Sequence, residues 1–170
     1  GEIKGKKENY GFLQPTKEVF NSWNKTLEAC KALAAKICII QTPASFKDSE
    51  KNLRNAEKFF SKIKNKIEIA FEPRGWKEEN ILKICEKFNL IHCTDLFASL
   101  PLYLGKNKIV YSRLHGSPPG KKMYSYKYTK EDLEKLRRIV EGIDANQKYI
   151  LFNNIEMFSD AQRFMKLLKI

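Results

Sequence analysis

Residues 109–116 read Ile109-Val-Tyr-Ser-Arg-Leu-His-Gly116, a β-rich run that ends in a basic and a titratable side chain. Because successive side chains of a strand point to opposite faces, Tyr111, Arg113 and His115 share one face of this predicted strand. The alternate residues are apolar or small and occupy the other face. Two groups that can carry a charge therefore lie together where the strand ends.

A segment rich in tyrosine and lysine follows, Ser117-Pro-Pro-Gly-Lys-Lys-Met-Tyr-Ser-Tyr-Lys-Tyr128. Its two prolines exclude a continuing strand. Aromatic rings stack on flat ligands such as nucleobases and lysines bind phosphates, so Tyr124, Tyr126 and Lys127 are candidate ligand-binding residues. The same residues suit a lid whose rings pack over the site, and the sequence does not separate the two interpretations.

Helices and strands alternate along the whole chain. Short apolar runs predict strands buried on both faces, as in a parallel sheet, and helical spacing with Thr, Ser or Asp caps predicts the helices between them. The predicted strands span residues 36–43, 66–74, 90–95, 109–116 and 147–154. The predicted helices span about 16–35, 50–64, the segment from 77 to the stop at Asn89, 129–142 and 160–170. Residues 1–11 are polar and glycine-containing, which predicts a lead-in outside the core.

Composition predicts one domain over residues 1–170, because 42% apolar content suffices for one substantial core. The net charge of +12 favours an anionic partner, although lysine-rich solvated helix faces explain such a surplus equally well. Four cysteines without a CxxC pair predict buried thiols in a reducing cytoplasm. No apolar run approaches the roughly 20 residues that cross a bilayer, so no membrane association is predicted.

All five predicted strands end in polar groups, and in parallel α/β folds such ends form the site. Each group alone is more often structural, as a helix cap or an ion-pair partner, but five converging ends favour a functional site. Glu72, Asp95 and His115 are the candidate catalytic acids and bases. The candidate ligand-binding groups at the strand ends are Gln41, Arg74, Arg113, Asn153 and Asn154.

A divalent metal is compatible with the Glu, Asp and His set, but the ligands would come from separate strands without diagnostic spacing. The sequence therefore identifies no cofactor. No glycine-rich phosphate loop of either common spacing is present. His92 has the opposite strand parity from Asp95, which predicts an ordinary packed histidine.

Six ordered motifs resemble the YecE-like family, also called the domain of unknown function 72. They are Phe12-x-x-Pro-Thr-x-Glu-Val-Phe-x-x-Trp23, Gln41-Thr-Pro-x-Ser-Phe46, Phe71-Glu-Pro-Arg74, Asp95, Arg113-Leu-His-Gly116 and Phe152-Asn-Asn154. The resemblance implies a TIM-barrel-like parallel β/α barrel with the matching residues at its mouth, and it implies no reaction. The fold resembles the endonuclease IV type of barrel, which suggests nucleic acid by analogy only.

The resemblance also implies about three further N-terminal β/α units, which are not in this sequence. The expectation is therefore an incomplete barrel of five units out of eight. The chain is accordingly expected to be a fragment, an incomplete record or one part of a split protein, with the remaining barrel segment on the same protein or on a separate chain.

Three functions compete at this point. The leading hypothesis is a polar barrel mouth that binds a phosphate-bearing ligand or nucleic acid and hydrolyses it, as a hydrolase of phosphate esters or nucleic acid would. The alternative is a non-catalytic nucleic-acid-binding module that uses the basic surface and the tyrosine and lysine segment. In a third hypothesis the strand-end groups form a closed ionic network that only holds the mouth together.

Overall fold

Two units make up the computed structural model of the chain, Gly1–Leu90 and Ile91–Ile170. The structure describes residues 6–63, 67–116 and 123–169. Both units are mixed α/β with parallel strands, as the sequence predicts. The prediction of a single domain stays a prediction.

The first unit alternates helices and strands around one parallel pair. Its elements are a 3₁₀ turn at Lys7–Asn9, α1 at Lys17–Ala32, β1 at Ile37–Thr42, α2 at Glu50–Lys62, β2 at Glu68–Pro73 and α3 at Glu78–Phe88. β1 and β2 pair in register from Ile37 opposite Glu68 to Thr42 opposite Pro73. The 3₁₀ turn contains no buried residue, in agreement with a lead-in outside the core.

Local capping signals fix the helix ends of this unit. The Thr16 hydroxyl accepts a hydrogen bond from the Val19 amide, and the Ser49 hydroxyl accepts one from the Asn52 amide. α3 ends at Asn89, whose φ of 54° lies in the left-handed region that asparagine tolerates. The predicted starts and stops of α1, α2 and α3 are therefore confirmed to within a few residues.

Packed aromatic rings fill the core of the first unit. Phe60 lies edge-on to Phe71 with ring centroids 5.2 Å apart, and Phe71 lies edge-on to Trp76 at 5.6 Å. The buried Trp76 Nε1 donates to the Phe46 carbonyl at 2.7 Å, so its polar atom is satisfied. These rings fix the chain that leaves β2.

The second unit contains a second parallel pair. Its elements are β3 at Ile91–His92, β4 at Ile109–Leu114, α4 at Lys130–Gly142, β5 at Gln147–Phe152 and α5 at Met157–Leu168. β4 and β5 pair in register from Ile109 opposite Gln147 to Leu114 opposite Phe152. A buried apolar cluster lies against them, formed by Leu96, Leu114, Tyr128, Leu133, Leu136, Val140, Phe152 and Phe164.

Two element boundaries differ from the prediction. β3 covers two residues instead of the predicted 90–95, because the His92 amide donates to the Tyr103 carbonyl of the following loop and only an isolated bridge joins Thr94 to Ser112. α5 begins at Met157 rather than at Asp160, after a turn in which the Met157 amide donates to the Asn154 carbonyl. Asp160 is therefore inside the helix and does not start it.

His92 is a packed histidine, as predicted. It is buried, and its Nδ1 accepts a hydrogen bond of 3.0 Å from the Leu102 amide. That bond identifies Nδ1 as the unprotonated nitrogen of a neutral ring. Leu102 belongs to the loop that follows β3.

Candidate functional site

The Asp95 carboxylate is held by two main-chain amides. Its Oδ1 accepts from the Phe97 amide at 3.0 Å, and its Oδ2 accepts from the His115 amide at 2.8 Å. The first bond is local and turns the chain after β3, whereas the second ties this turn to the end of β4. Charge-assisted bonds of this kind fix both the position and the orientation of a carboxylate.

The His115 ring lies against the same carboxylate. Its Nδ1 is 3.5 Å from Asp95 Oδ2, and both side chains are largely buried. The exposed Tyr124 lies edge-on to the ring, with centroids 5.6 Å apart. A histidine whose Nδ1 faces a carboxylate is oriented to exchange a proton through Nε2, and the carboxylate stabilises the imidazolium that forms.

Arg113 lies two residues before His115, as strand alternation requires. The intervening Ser112 and Leu114 are buried, and Arg113 itself is half-buried. Its main-chain amide donates to the Thr94 carbonyl at 3.2 Å, so β4 and the turn before Asp95 are joined beside the site. Within β4 the half-buried Tyr111 and Arg113 alternate with buried residues, as the predicted face requires, and His115 lies just beyond the strand.

The two strand-end asparagines have different roles in the structure. The Asn153 amide donates to the Leu114 carbonyl at 2.7 Å and continues the parallel pairing. The buried Asn154 donates through Nδ2 to the Tyr126 carbonyl at 2.7 Å and to Asp160 Oδ2 at 2.8 Å. Asn154 Oδ1 accepts no hydrogen bond from the part of the chain that the structure describes. Its amide nitrogen is a structural clamp, and ligand binding by either asparagine stays a prediction.

The tyrosine and lysine segment is described from residue 123 onwards, so Lys121 and Lys122 lie outside the described residues. The Tyr126 hydroxyl donates to Asp132 Oδ2 at 2.7 Å, and this hydrogen bond raises the pKa of Tyr126. The segment thus places Tyr126 against helix α4, whereas Tyr124 and Lys127 are exposed. Tyr124, one of the predicted ligand-binding tyrosines, contacts the ring of His115.

Tyr128 and Asp160 organise the segment, and the sequence did not single them out for this. The buried Tyr128 stacks on Phe97 at 5.3 Å, and its hydroxyl accepts from the Gly116 amide at 2.8 Å. Burial raises the pKa of Tyr128, so the hydroxyl stays neutral. Because Gly116 directly follows His115, this hydrogen bond ties the end of β4 to the core.

Asp160 is a fully buried carboxylate with three donors. It accepts from the Tyr128 amide at 3.1 Å, from Asn154 Nδ2 at 2.8 Å and from the Arg163 guanidinium at 2.9 Å. The only local signal for this role is the Asp160–Arg163 spacing of three residues on one helix face. The other donors come from segments distant in sequence.

The first unit carries its own strand-end groups. Arg74 Nε donates to Oε1 of the buried Glu72 at 2.8 Å. Gln41 lies opposite Glu72 in the β1–β2 register and is exposed. This ion pair is the arrangement expected of a structural bridge as well as of a site.

Within the described ranges, no group of three or more His, Cys, Asp or Glu residues is arranged to hold a metal ion. Cys38, Cys85 and Cys93 are buried free thiols, as predicted, whereas Cys30 is only half-buried and the prediction was wrong there. Burial raises the pKa of Cys85 to about 12. No helix in the described part of the chain has both the length and the apolar composition to cross a bilayer.

Two solved structures resemble this chain. A DUF72 family protein from Thermotoga maritima aligns with a TM-score of 0.68 and 23% identity over 91% of this chain and 66% of its own length. A DUF72 family protein from Enterococcus faecalis aligns with a TM-score of 0.74 and 18% identity over 98% of this chain and 70% of its own. This chain therefore spans about two thirds of the length of these proteins.

No curated protein matches the chain. The family model described as protein of unknown function DUF72 matches residues 8–170, nearly all of the chain. YecE-like is another name for the same family, so the resemblance carried by the six motifs is confirmed. The chain belongs to the DUF72 family.

Proposed function

We propose that the end of β4 binds a phosphate-bearing ligand and that the Asp95–His115 pair hydrolyses it. The observation that carries this proposal is the Asp95 carboxylate, which binds the His115 amide at 2.8 Å and lies 3.5 Å from Nδ1 of the same residue. One carboxylate thereby binds the backbone of a histidine and lies beside its ring. That arrangement is typical of a general acid–base pair.

In the proposed reaction His115 Nε2 takes a proton from water while the water oxygen forms a bond to phosphorus. The ester P–O bond breaks, and the imidazolium returns its proton to the leaving oxygen. Asp95 stabilises the imidazolium, and Arg113 binds the phosphate oxygens. The half-buried position of Arg113 beside His115 supports this assignment.

The remaining predicted residues of the second unit belong to the same proposal, in which Asn153, Asn154, Tyr124, Tyr126 and Lys127 bind the ligand. In the first unit Glu72 is proposed as an acid or base, with Gln41 and Arg74 as the ligand-binding residues beside it. The fold in the proposal is a TIM-barrel-like β/α barrel of which this chain supplies five units, supported by the parallel pairs β1–β2 and β4–β5. Free buried thiols support a reducing, cytoplasmic location.

Hydrolysis of 4-nitrophenyl phosphate and bis(4-nitrophenyl) phosphate tests the proposal. His115→Ala is expected to lower kcat by about 100-fold or more, because general acid–base groups contribute at least that factor. Asp95→Asn is expected to lower kcat as well, and Asp144→Asn is the matched control, since Asp144 pairs only with exposed Lys108 in the described structure. Circular dichroism establishes that each variant is folded. The proposal is wrong if the wild-type chain hydrolyses neither ester, or if both site variants retain full activity.

A structural role is the second candidate for the first unit. The short Glu72–Arg74 ion pair favours it, because a buried carboxylate that already binds a guanidinium needs no ligand to satisfy it. Under this alternative Glu72→Gln lowers the unfolding midpoint without changing hydrolysis by the folded fraction. A loss of hydrolysis at unchanged stability would instead assign Glu72 to the reaction.

A further inference from the structure

Five exposed apolar side chains lie on the segments that follow His115 and β5. They belong to two short segments that a hydrogen bond of 2.6 Å joins, from the Ile155 amide to the Tyr124 carbonyl. We call this surface the aromatic platform; its members are Met123, Tyr124, Ile155, Met157 and Phe158. Exposed fractions reach 42% for Tyr124, 74% for Ile155 and 76% for Phe158. Large apolar side chains exposed on two adjoining segments favour an interaction surface.

The platform is anchored to the core of the second unit. The Tyr124 amide donates to the His115 carbonyl, so one edge of the platform is bonded to the candidate site. Asn154 joins the other edge to the Tyr126 carbonyl and to the buried Asp160. A platform fixed at both edges loses little conformational freedom when a ligand binds, which favours affinity.

The chemistry of the platform fits nucleobases. Exposed aromatic rings stack on bases of any sequence, and basic side chains neutralise the phosphates between them. Lys127 is exposed in the same segment, and the whole chain carries +12. A duplex hides its base faces inside the stack, so only a single strand offers the surface that these rings require.

We propose that the aromatic platform binds single-stranded nucleic acid, with bases stacked on Tyr124 and Phe158. This inference rests on the proposed function, because it names the phosphate-bearing ligand of that site. A base stacked on Tyr124 brings its adjoining phosphodiester to the strand end that carries His115. Phe158 belongs to none of the sequence motifs. Its proposed role rests on its exposure and on the hydrogen bond that joins its segment to Tyr124.

Fluorescence anisotropy with a labelled ten-nucleotide oligo(dT) tests the proposal on the whole chain. Phe158→Ala is expected to weaken binding by between about 5-fold and 100-fold, the range that the loss of one base–aromatic stack produces. Met165→Ala is the matched control, because Met165 is an apolar residue of the same helix with an exposed fraction of 50%. It lies seven residues, or about 10 Å, further along the helix axis, so its substitution is expected to leave binding unchanged.

The dependence of binding on salt and the preference for single-stranded over duplex DNA complete the test. Binding is expected to weaken linearly on a logarithmic scale of KCl concentration, and Lys127→Ala is expected to reduce that slope by about 0.7, the value for one phosphate of a single strand. A duplex of the same length is expected to bind more weakly than the single strand. The inference is overturned if the oligonucleotide does not bind, if the duplex binds equally well, or if Phe158→Ala and Met165→Ala have the same effect.

The two proposals fail separately. If the chain binds the oligonucleotide through Phe158 but hydrolyses neither nitrophenyl ester, nucleic-acid binding by the platform is supported and the proposed reaction is excluded. If the chain hydrolyses the esters but does not bind the oligonucleotide, the proposed reaction stands and nucleic-acid binding by the platform is excluded.

Discussion

At the scale of single residues, Asp95 and Asp160 illustrate two uses of a carboxylate within one unit. Asp95 accepts two main-chain amides and faces the ring of His115. Asp160 is fully buried and accepts from a main-chain amide, a side-chain amide and a guanidinium. The Asp95 carboxylate therefore lies beside a titratable ring, whereas the Asp160 carboxylate holds segments of the chain together.

Asp160→Asn is expected to destabilise the chain by about 2–4 kcal/mol, because the buried Tyr128 amide and the Arg163 guanidinium lose a charged acceptor. Urea unfolding followed by circular dichroism measures the change. Asp144→Asn, at an exposed ion pair, is the control and is expected to leave the midpoint unchanged. Equal midpoints for Asp160→Asn and the wild type would show that the network does not stabilise the fold.

The sequence alone predicts the individual residues unevenly. Asp95, Arg113 and His115 were found because each follows a recognisable apolar strand, and the structure joins Asp95 to His115. The role of Asp160 was not found, because Tyr128 and Asn154 are distant in sequence and no spacing rule connects them. Local patterns reveal a residue's chemistry, but its partners depend on tertiary contacts.

At the scale of elements, the start of α4 is the clearest agreement between sequence and structure. The Thr129 hydroxyl accepts from the Asp132 amide at 3.1 Å, and Asp132 Oδ2 accepts from the Thr129 amide at 2.9 Å. The Thr-x-x-Asp spacing is typical of such a reciprocal capping box, and the predicted start of this helix at residue 129 is confirmed. Burial raises the pKa of Asp132, but the hydrogen bonds from Thr129 and Tyr126 outweigh it, so the pKa is lowered overall.

Asp132→Asn is expected to destabilise the chain by about 1 kcal/mol at pH 7, the usual value of a helix cap. Because the pKa of Asp132 is lower in the folded state, its stabilisation is present above the unfolded pKa of about 3.9. That stabilisation is lost as the pH falls through the lowered folded pKa. Urea midpoints measured between pH 7 and pH 2 should therefore converge for the variant and the wild type at the acid end.

Glu134→Gln is the control for this prediction, since Glu134 lies on the same helix and pairs with exposed Lys130. Its effect is expected to be small across the whole pH range. A gap between Asp132→Asn and the wild type that stays constant down to pH 2 would contradict the assignment of the acid dependence to Asp132.

Strand lengths were predicted less well than helix starts. A helix cap depends on residues three positions apart, whereas a strand exists only where a distant partner pairs with it. The apolar run 90–95 suggested a full strand, but the amide of His92 bonds to the loop carbonyl of Tyr103 and β3 ends there. The parallel direction of β1–β2 and of β4–β5 was predicted correctly from short apolar runs typical of strands buried on both faces.

At the scale of the whole molecule, the dominant property is the charge of +12 with a pI near 9.5. Like charges destabilise a folded chain through mutual repulsion, and salt screens that repulsion over about 10 Å at 0.1 M and about 3 Å at 1 M. The fold class and family follow from motifs spread over nearly the whole chain. The convergence of all five strand ends on one site stays a prediction, because it depends on how distant segments assemble.

The melting temperature at pH 7 is expected to rise by a few degrees between 20 mM and 500 mM NaCl, because screening relieves the repulsion among the excess lysines and arginines. Differential scanning calorimetry measures it. The same salt series at pH 9.5, where the net charge is near zero, is the control and is expected to show a much smaller rise. A melting temperature that falls with salt at pH 7 would mean that attractive ion pairs outweigh the repulsion.

The main chain at position 115 is anchored on both sides without help from the imidazole. The His115 amide is bound by Asp95, and its carbonyl receives the amide of Tyr124. Exchanging the side chain therefore leaves the frame around it in place. Position 115 is therefore suited to protein engineering. Cysteine or an unnatural amino acid can be introduced there to add a reactive group while the main-chain hydrogen bonds are kept.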